Sequence, residues 1–453
     1  MFIFAAKLRN LLENIEKNTC FGIKWTAFGS VFQMLVQVVQ LLLIAKILGP
    51  TLYGEAILAL LVVRMLMPFS AAGVGTVLVQ EDELSQLQLS SLFWSNLLFS
   101  LLIYAFLFAF SPIFASVFEL QNLAFFIQIG ALSIVINAFG NIHNALLNKH
   151  LQFKTTSKIT IISVFFDLLI SLIITYLGFY IWALLLGFLS RVVVAVFLQF
   201  WFGKKYFLPD FYLKISEIKP ILYKCFFDMA AQFVNMLATN VDNILVGKYF
   251  GITNLGYYAL AWDLAMKPVY AIVPIVTKVK FPLWSQLKKT PSLLAEDYEK
   301  TVFRVMQLMS LVFATWFLVS TFFIPFWYGE AWFPLVPYLH ILIFLGVFRS
   351  FGSPSSYLGM AMGFFKQEFL FNVNQLFIYF IILPFTIFYF QNLSYFCYSI
   401  VIAYFINDLI WYRFLQKNTS VDFVKLAKKI LLFLIPIAII TSILFLISTK
   451  YAF

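Results

Sequence analysis

The sequence predicts an all-α polytopic membrane protein, built as two six-helix lobes in parallel repeat with one or two further C-terminal helices. Three observations carry this expectation: the composition, the alternation of long apolar runs with basic loops, and an internal repeat at an offset of 202 residues. The chain has 453 residues, 62% hydrophobic and 11% charged, with a mean hydropathy of +0.93. Soluble domains carry roughly a quarter charged residues. The apolar runs are continuous rather than alternating, which excludes a membrane β-barrel.

Residues 1–20, "MFIFAAKLRNLLENIEKNTC", are too charged for the apolar core of a cleavable signal peptide and lack a cleavage site. Ile3, Leu8, Leu11, Leu12 and Ile15 fall on one helical face, which predicts a short interfacial helix. A membrane span needs about 20 apolar residues. That rule places six spans in an N-lobe over 21–202: 21–48, 55–79, 89–111, 123–148, 157–178 and 180–202. A linker at 203–220 follows, then six spans of a C-lobe over 221–415: 221–249, 255–277, 303–327, 333–362, 369–390 and 394–415. Residues 416–453 supply one more span, at 427–448.

The formal net charge of +11 lies mostly in alternate loops: at the N-terminus and in 149–158, 203–220, 278–300 and 417–429. Basic loops stay on the cytoplasmic side, so the N-terminus and the 203–220 linker are expected there. The loop "QEDELSQLQ" is an acidic exception, and acidic residues weigh little in this rule. The basic balance thus reflects topology and an attraction to anionic membrane lipids, not nucleic-acid binding. Cys20, Cys225 and Cys397 sit in or beside apolar runs with no CxxC or zinc spacing, so they read as packing residues. No metal or cofactor is expected.

The repeat pairs "KILGPTLYGEAILA" (46–59) with "KYFGITNLGYYALA" (248–261), matching Lys46, Gly49, Thr51 and Gly54 to Lys248, Gly251, Thr253 and Gly256. Six spans separate the copies, so both point the same way. In the helices just before them, Asp228, Gln232, Asn235, Thr239 and Asp242 form one face, and the offset maps them onto Thr26, Ser30, Gln33, Gln37 and Gln40. Two readings are open: the stripes line a water-filled cavity, or they glue helices together. A third stripe, Ser133, Asn137, Asn141, Asn144 and Asn148, suits sugar hydroxyls or interhelical packing.

Charges within spans ask for a partner or a function. Asp167 and Arg191 lie equally far from the turn at Phe179 and read as a structural ion pair. Asp242 and Asp263 come nearly level, with Lys267 one turn from Asp263, so a proton or sodium ion could couple there, with Asp228 a further candidate. Arg64 has no acid at its level in the first hairpin and falls beside Gln37 and Gln40, which points to a phosphate-bearing substrate. Its bland alternative is pairing with a distant acid. Lys267 and Arg349 are further cationic candidates. His143, His150 and His340 are isolated, and no phosphate-cradling loop or DxD site occurs, so no enzyme is expected.

The segments "SSLFWSNLLFS" (90–100), "ALLNKHLQFK" (145–154), "DNILVGKYFGITNLGYYALAWDL" (242–264), "KFPLWSQL" (280–287) and "YGEAWFPLVPYL" (328–339) carry a family resemblance. The chain resembles the polysaccharide-exporter branch of the multidrug/oligosaccharidyl-lipid/polysaccharide (MOP) superfamily, above all its Wzx-type and teichuronic-acid members. The resemblance runs over residues 20–415. It implies a two-lobed, alternating-access exporter in a bacterial plasma membrane that moves an undecaprenyl-diphosphate-linked oligosaccharide to the outer leaflet. A monomeric transport unit working beside polysaccharide assembly proteins is expected. Related lipid II flippases carry an arginine in the second span of a cationic cavity, to which Arg64 is a loose positional match. Thirteen spans depart from the twelve or fourteen of relatives. A drug or cation antiporter of the same fold, and a non-transporting scaffold, are the competing readings.

Overall fold

A computed structural model describes the backbone of residues 2–71, 74–80, 84–120 and 122–451. The described residues form thirteen α-helices and one 3-10 turn: α1 (Phe2–Ala71), α2 (Val74–Gln80), α3 (Gln86–Phe118), α4 (Leu123–Lys149), α5 (Phe153–Tyr176), α6 (Tyr180–Gly203), α7 (Ile215–Tyr249), α8 (Ile252–Leu287), α9 (Pro291–Tyr328), the turn Glu330–Trp332, α10 (Leu335–Met362), α11 (Phe365–Phe390), α12 (Leu393–Asn418) and α13 (Phe423–Tyr451). No strand occurs among them. Ten helical stretches are long and apolar enough to cross a membrane among the described residues. The expected interfacial face at 1–20, Cys20 and the acidic loop tip at 81–83 lie outside the described side chains.

The chain divides into two compact units, one of Met1–Leu48 with Glu55–Asn240 and one of Gly49–Gly54 with Val241–Phe453. The expected first and second spans are the two arms of α1, two helices that meet at a kink at Gly49, whose φ of 71° and ψ of 172° are not helical and are open to glycine. Its repeat partner Gly251 has φ 89° and ψ 166° and caps α8. The repeat seen in the letters is therefore a repeat of backbone geometry.

In the first unit α4 is central and packs against α3 and α6. Glycine makes this possible, because small residues let helix backbones approach where lipid supplies no hydrophobic drive. A Cβ on Gly130 would meet Val63 and Leu185, and one on Gly187 would lie 2.0 Å from Ser171 Oγ. The core gathers Leu92, Phe93 and Leu97 of α3, Ile142 of α4, and Phe207, Ile218 and Cys225 from the linker and α7.

The 203–214 linker is fastened to the start of α3. Ser85 caps α3 with a reciprocal bond pair to Gln88. One turn on, Ser90 Oγ accepts from the Asp210 backbone N–H at 3.0 Å and Ser91 Oγ from that of Lys214 at 3.1 Å. Trp94 Nε1 donates to the Asp210 carbonyl at 2.8 Å, and its ring stacks on Phe211. The serines and tryptophan of "SSLFWSN" thus satisfy linker backbone that no regular structure satisfies.

In the second unit α10 packs on α8, α9 and α12. Gly346 faces Phe313, Gly352 faces Asp408, and Gly359 lies under Trp411. Asp297 joins α9 to α8, accepting from Lys280 Nζ at 2.7 Å and from Trp284 Nε1 at 2.9 Å. Trp284, Tyr298, Trp411 and Phe423 fill the core beneath. "KFPLWSQL" therefore carries a packing role. Gly49–Gly54 lies against 252–256 of the same unit: Thr51 Oγ1 and Thr253 Oγ1 are 2.9 Å apart. A Cβ on Gly54 would sit 2.1 Å from the Ile252 carbonyl oxygen, and one on Gly256 2.0 Å from that of Pro50.

Candidate functional site

The first unit brings four of the sequence-selected groups together. Gln40 Nε2 donates to Asp167 Oδ1 and to Ser171 Oγ, each at 3.0 Å. Asp167 is buried, and the positive charges of Arg191 and Arg64 both act on it. Arg64 also acts on Arg191. The Arg64 guanidinium lies 5.3 Å above the Phe188 ring. Gly187 admits this arrangement, because a Cβ there would be 2.7 Å from Asp167 Oδ1.

Two adjustments to the expected geometry follow. Asp167 and Arg191 interact through space, but the carboxylate's close partner is Gln40: among the described residues no salt bridge joins Asp167 to Arg191. Arg64 is not remote from acids, since Asp167 of α5 lies within its electrostatic reach. The cluster holds two guanidinium groups and one carboxylate, an excess of one positive charge.

Gln33 and Gln37 are half-buried on the same helix as Gln40. Part of the α4 stripe is committed to packing. Asn137 Nδ2 donates to Ser70 Oγ at 3.0 Å and Asn141 Nδ2 to the Ser70 carbonyl at 2.7 Å. Ser100 Oγ reaches the same carbonyl at 3.4 Å, and Ser133 contacts Met67 Sδ. These side chains tie α3 and α4 to the end of α1. Asn144 stays half-buried on α4. On α7, Gln232 Nε2 donates to Asp228 Oδ2 at 2.6 Å and Thr239 Oγ1 to the Asn235 carbonyl at 2.9 Å. Gln232, Asn235 and Thr239 are exposed.

In the second unit Asp263 and Lys267 pair one turn apart, as the spacing predicts, and Asp242 takes a further partner. Asp242 is 1% exposed and accepts from Tyr258 Oη at 2.5 Å. Asp263 meets Lys267 at 3.9 Å. Arg349 lies 4.8 Å above the Tyr404 ring, and Tyr412 Oη donates to the buried Asp408 at 3.5 Å. Tyr258 and Tyr404 escaped the sequence reading. A tyrosine in an apolar run looks like core, and only the Gly251 bend, between Asp242 and Tyr258, hints at their pairing. Among the described residues no group of three or more His, Cys, Asp or Glu could hold a metal ion.

A chain of long apolar helices, bent at two repeat-related glycines and carrying charged clusters inside each unit, has the makings of a polytopic transporter, and its fold is that of the MOP superfamily. The fold matches the lipid II flippase MurJ in an inward closed conformation (TM-score 0.70, 17% identity, 94% of this chain and 98% of that one). It also matches an inward-facing multidrug resistance MATE family transporter of the MOP superfamily (TM-score 0.65, 16% identity, 87% and 96%). The profile of the polysaccharide biosynthesis protein family matches residues 43–337, and the chain belongs to that family. Among its relatives, the teichuronic acid biosynthesis protein TuaB of Bacillus subtilis (strain 168) is 28% identical over 368 residues, covering 78% of this chain and 73% of TuaB. The lipopolysaccharide biosynthesis protein WzxC of Escherichia coli (strain K12) is 27% identical over 377 residues, covering 81% and 74%. The resemblance read from the sequence is borne out.

Proposed function

We propose that this protein flips a diphosphate-linked lipid oligosaccharide from the inner to the outer leaflet of a bacterial plasma membrane by alternating access. Membership of the polysaccharide biosynthesis family supports a glycan substrate, and the fold likeness to a lipid II flippase supports a lipid-linked one. The observation that carries the reading is the Gln40–Asp167–Arg191–Arg64 cluster with its excess positive charge. A diphosphate brings at least two negative charges into a medium of reduced dielectric, where a fixed cation offsets the lost hydration. Arg64 is the cation that meets the diphosphate, because Arg191 is held near Asp167. A guanidinium can meet phosphate with two parallel hydrogen bonds, which an ammonium cannot.

Return to the inward state is driven by a proton or sodium ion, with Asp242 and Asp263 as its candidates. The N-terminus and the linker are cytoplasmic, as the loop charges favour. The transport unit is a monomer that hands its product to polysaccharide assembly proteins. Complementation of a strain lacking its own transporter tests the reading. Arg64→Ala should reach normal abundance in the membrane, lose surface polysaccharide and accumulate lipid-linked oligosaccharide. Arg64→Lys should retain part of the export. Normal export by Arg64→Ala at normal abundance overturns the diphosphate contact. Export of cationic drugs without lipid-linked glycan would favour the antiporter reading.

A further inference from the structure

Asn96 lies about three turns into α3, 2% exposed, against an apolar core. Its amide nitrogen and oxygen both lack a partner among the described residues. It faces a cavity of about 230 Å³ that Val74, Leu92, Leu222, Phe226 and Met229 help to line. No charged side chain lines this cavity. Phe226 is 58% exposed, so the mouth opens at the surface of the unit.

An unsatisfied amide in such a place selects its ligand. Water fills apolar walls poorly, since it needs two to four polar partners. A diphosphate or sugar would bring charge or many hydroxyls where one neutral amide waits beside Ser95, whose hydroxyl proton is already given to the Ser91 carbonyl. What fits is an apolar chain carrying one uncharged acceptor, which Asn96 Nδ2 can serve. The position along α3 narrows the class. The helix has 33 residues, about 50 Å, against a hydrocarbon thickness of about 30 Å. Asn96 lies about 15 Å from the start of the helix at 1.5 Å per residue. With the overhang shared between the ends, it falls about 5 Å inside the hydrocarbon boundary, within reach of the esters of a glycerolipid seated in the cavity. The exposed Lys219, one turn before Leu222 on α7, stands on the side where a lipid phosphate would lie.

We propose that this cavity binds one acyl chain of a membrane glycerophospholipid, with Asn96 donating to the ester carbonyl. The site is separate from the Arg64 cluster and does not depend on the flippase reading. It makes a bulk lipid a bound, structural component of the first unit.

The full chain, reconstituted in vesicles of phosphatidylethanolamine and phosphatidylglycerol, would carry a trace of phosphatidylethanolamine with a diazirine close to its acyl ester. After illumination, peptide mass spectrometry should find adducts at 92–99 and 222–229. Asn96→Leu, which removes the donor, and Leu222→Trp, which fills the cavity, should each lower those adducts about five-fold or more, the cost of one hydrogen bond or of lost space. Adducts on the exposed α11 residues Phe377 and Phe385 should not change, and helical circular dichroism should show that both variants fold. Two results overturn the site: no adducts at α3 and α7, or adducts that neither folded variant reduces. Aqueous hydroxyl-radical labelling of Met229 in place of lipid adducts overturns it too, since it marks a water-filled space. The vesicles contain no polyprenyl lipid, so failure here is independent of failure to transport.

Discussion

Gln40 and Asp167 show how a single side chain sets the character of a membrane site. The amide of Gln40 holds one carboxylate oxygen and the Ser171 hydroxyl together, while two guanidinium groups act on the same carboxylate. Removing the acid would leave two cations with no counter-charge, and an uncompensated charge in a low-dielectric interior is costly. Asp167→Asn should therefore lower the amount of folded protein and its melting temperature. A double variant with Arg191→Gln should recover much of both, since the remaining cation is the one proposed to meet substrate. Fluorescence-detected size exclusion on detergent extracts reads both quantities. Equal loss in the single and double variants would mean that Arg191 does not need Asp167. On α4, Asn137→Ala and Asn141→Ala each remove one bond to Ser70. Each should cost about 0.6–2 kcal/mol of stability, the range of interhelical hydrogen bonds in membranes, and leave substrate selection unchanged. A change in exported glycan at unchanged stability would return these residues to a sugar-binding role.

Helices and their connections are held by contacts of two kinds, small residues that admit a neighbour and side chains that satisfy loose backbone. Gly54 and Gly256 belong to the first kind. The atom a Cβ would strike is a backbone carbonyl in both cases, and backbone cannot swing aside as a long side chain can. Gly54→Val and Gly256→Val should each abolish accumulation or force the two segments apart, measured as a fall in membrane abundance. Normal abundance of both variants would show that the close approach is dispensable. The linker belongs to the second kind. Ser90→Ala and Ser91→Ala together would strip the acceptors from the Asp210 and Lys214 amides. The linker should then open more often, and limited proteolysis should cut 203–214 faster while the helices stay intact. Unchanged cleavage would show that Trp94 and Gln86, which donate to the Asp210 and Leu208 carbonyls, suffice to hold it.

At the level of the whole chain, the repeat gives a direct handle on motion. Thr51 and Thr253 are repeat partners, and their hydroxyls are 2.9 Å apart. Thr51→Cys with Thr253→Cys should form a disulfide under mild oxidation and arrest export, with reductant restoring it. Export that continues with the bond formed would show that this contact need not part during transport. Topology can be probed in the same cells. Single cysteines in the 203–220 linker should resist a membrane-impermeant thiol reagent from outside, and ready labelling would reverse the orientation proposed from the loop charges.

What the sequence by itself determined is what can be expressed along one dimension. Apolar length made the chain a membrane protein, and the matched glycines foretold two identical bends, because positive φ at Gly49 and Gly251 is a local demand. Depth was legible in part: counting from the turns set Arg64 level with Gln40 and Asp167 level with Arg191, and the structure bonds Gln40 to Asp167 while both guanidinium charges act on that carboxylate through space. Only the tertiary structure decided which way each helix turns about its own axis. That rotation depends on where neighbouring helices offer room, and a periodic stripe states only that its polar groups share a face. So Asn137 and Asn141, equally suited to sugar or to packing, close on Ser70. Asp242, level with Asp263 in the letters, takes the hydroxyl of Tyr258, a partner that no spacing announced. "SSLFWSN" looked like a signature without a task until the linker folded back onto it, since the backbone groups it satisfies lie about 120 residues further along the chain.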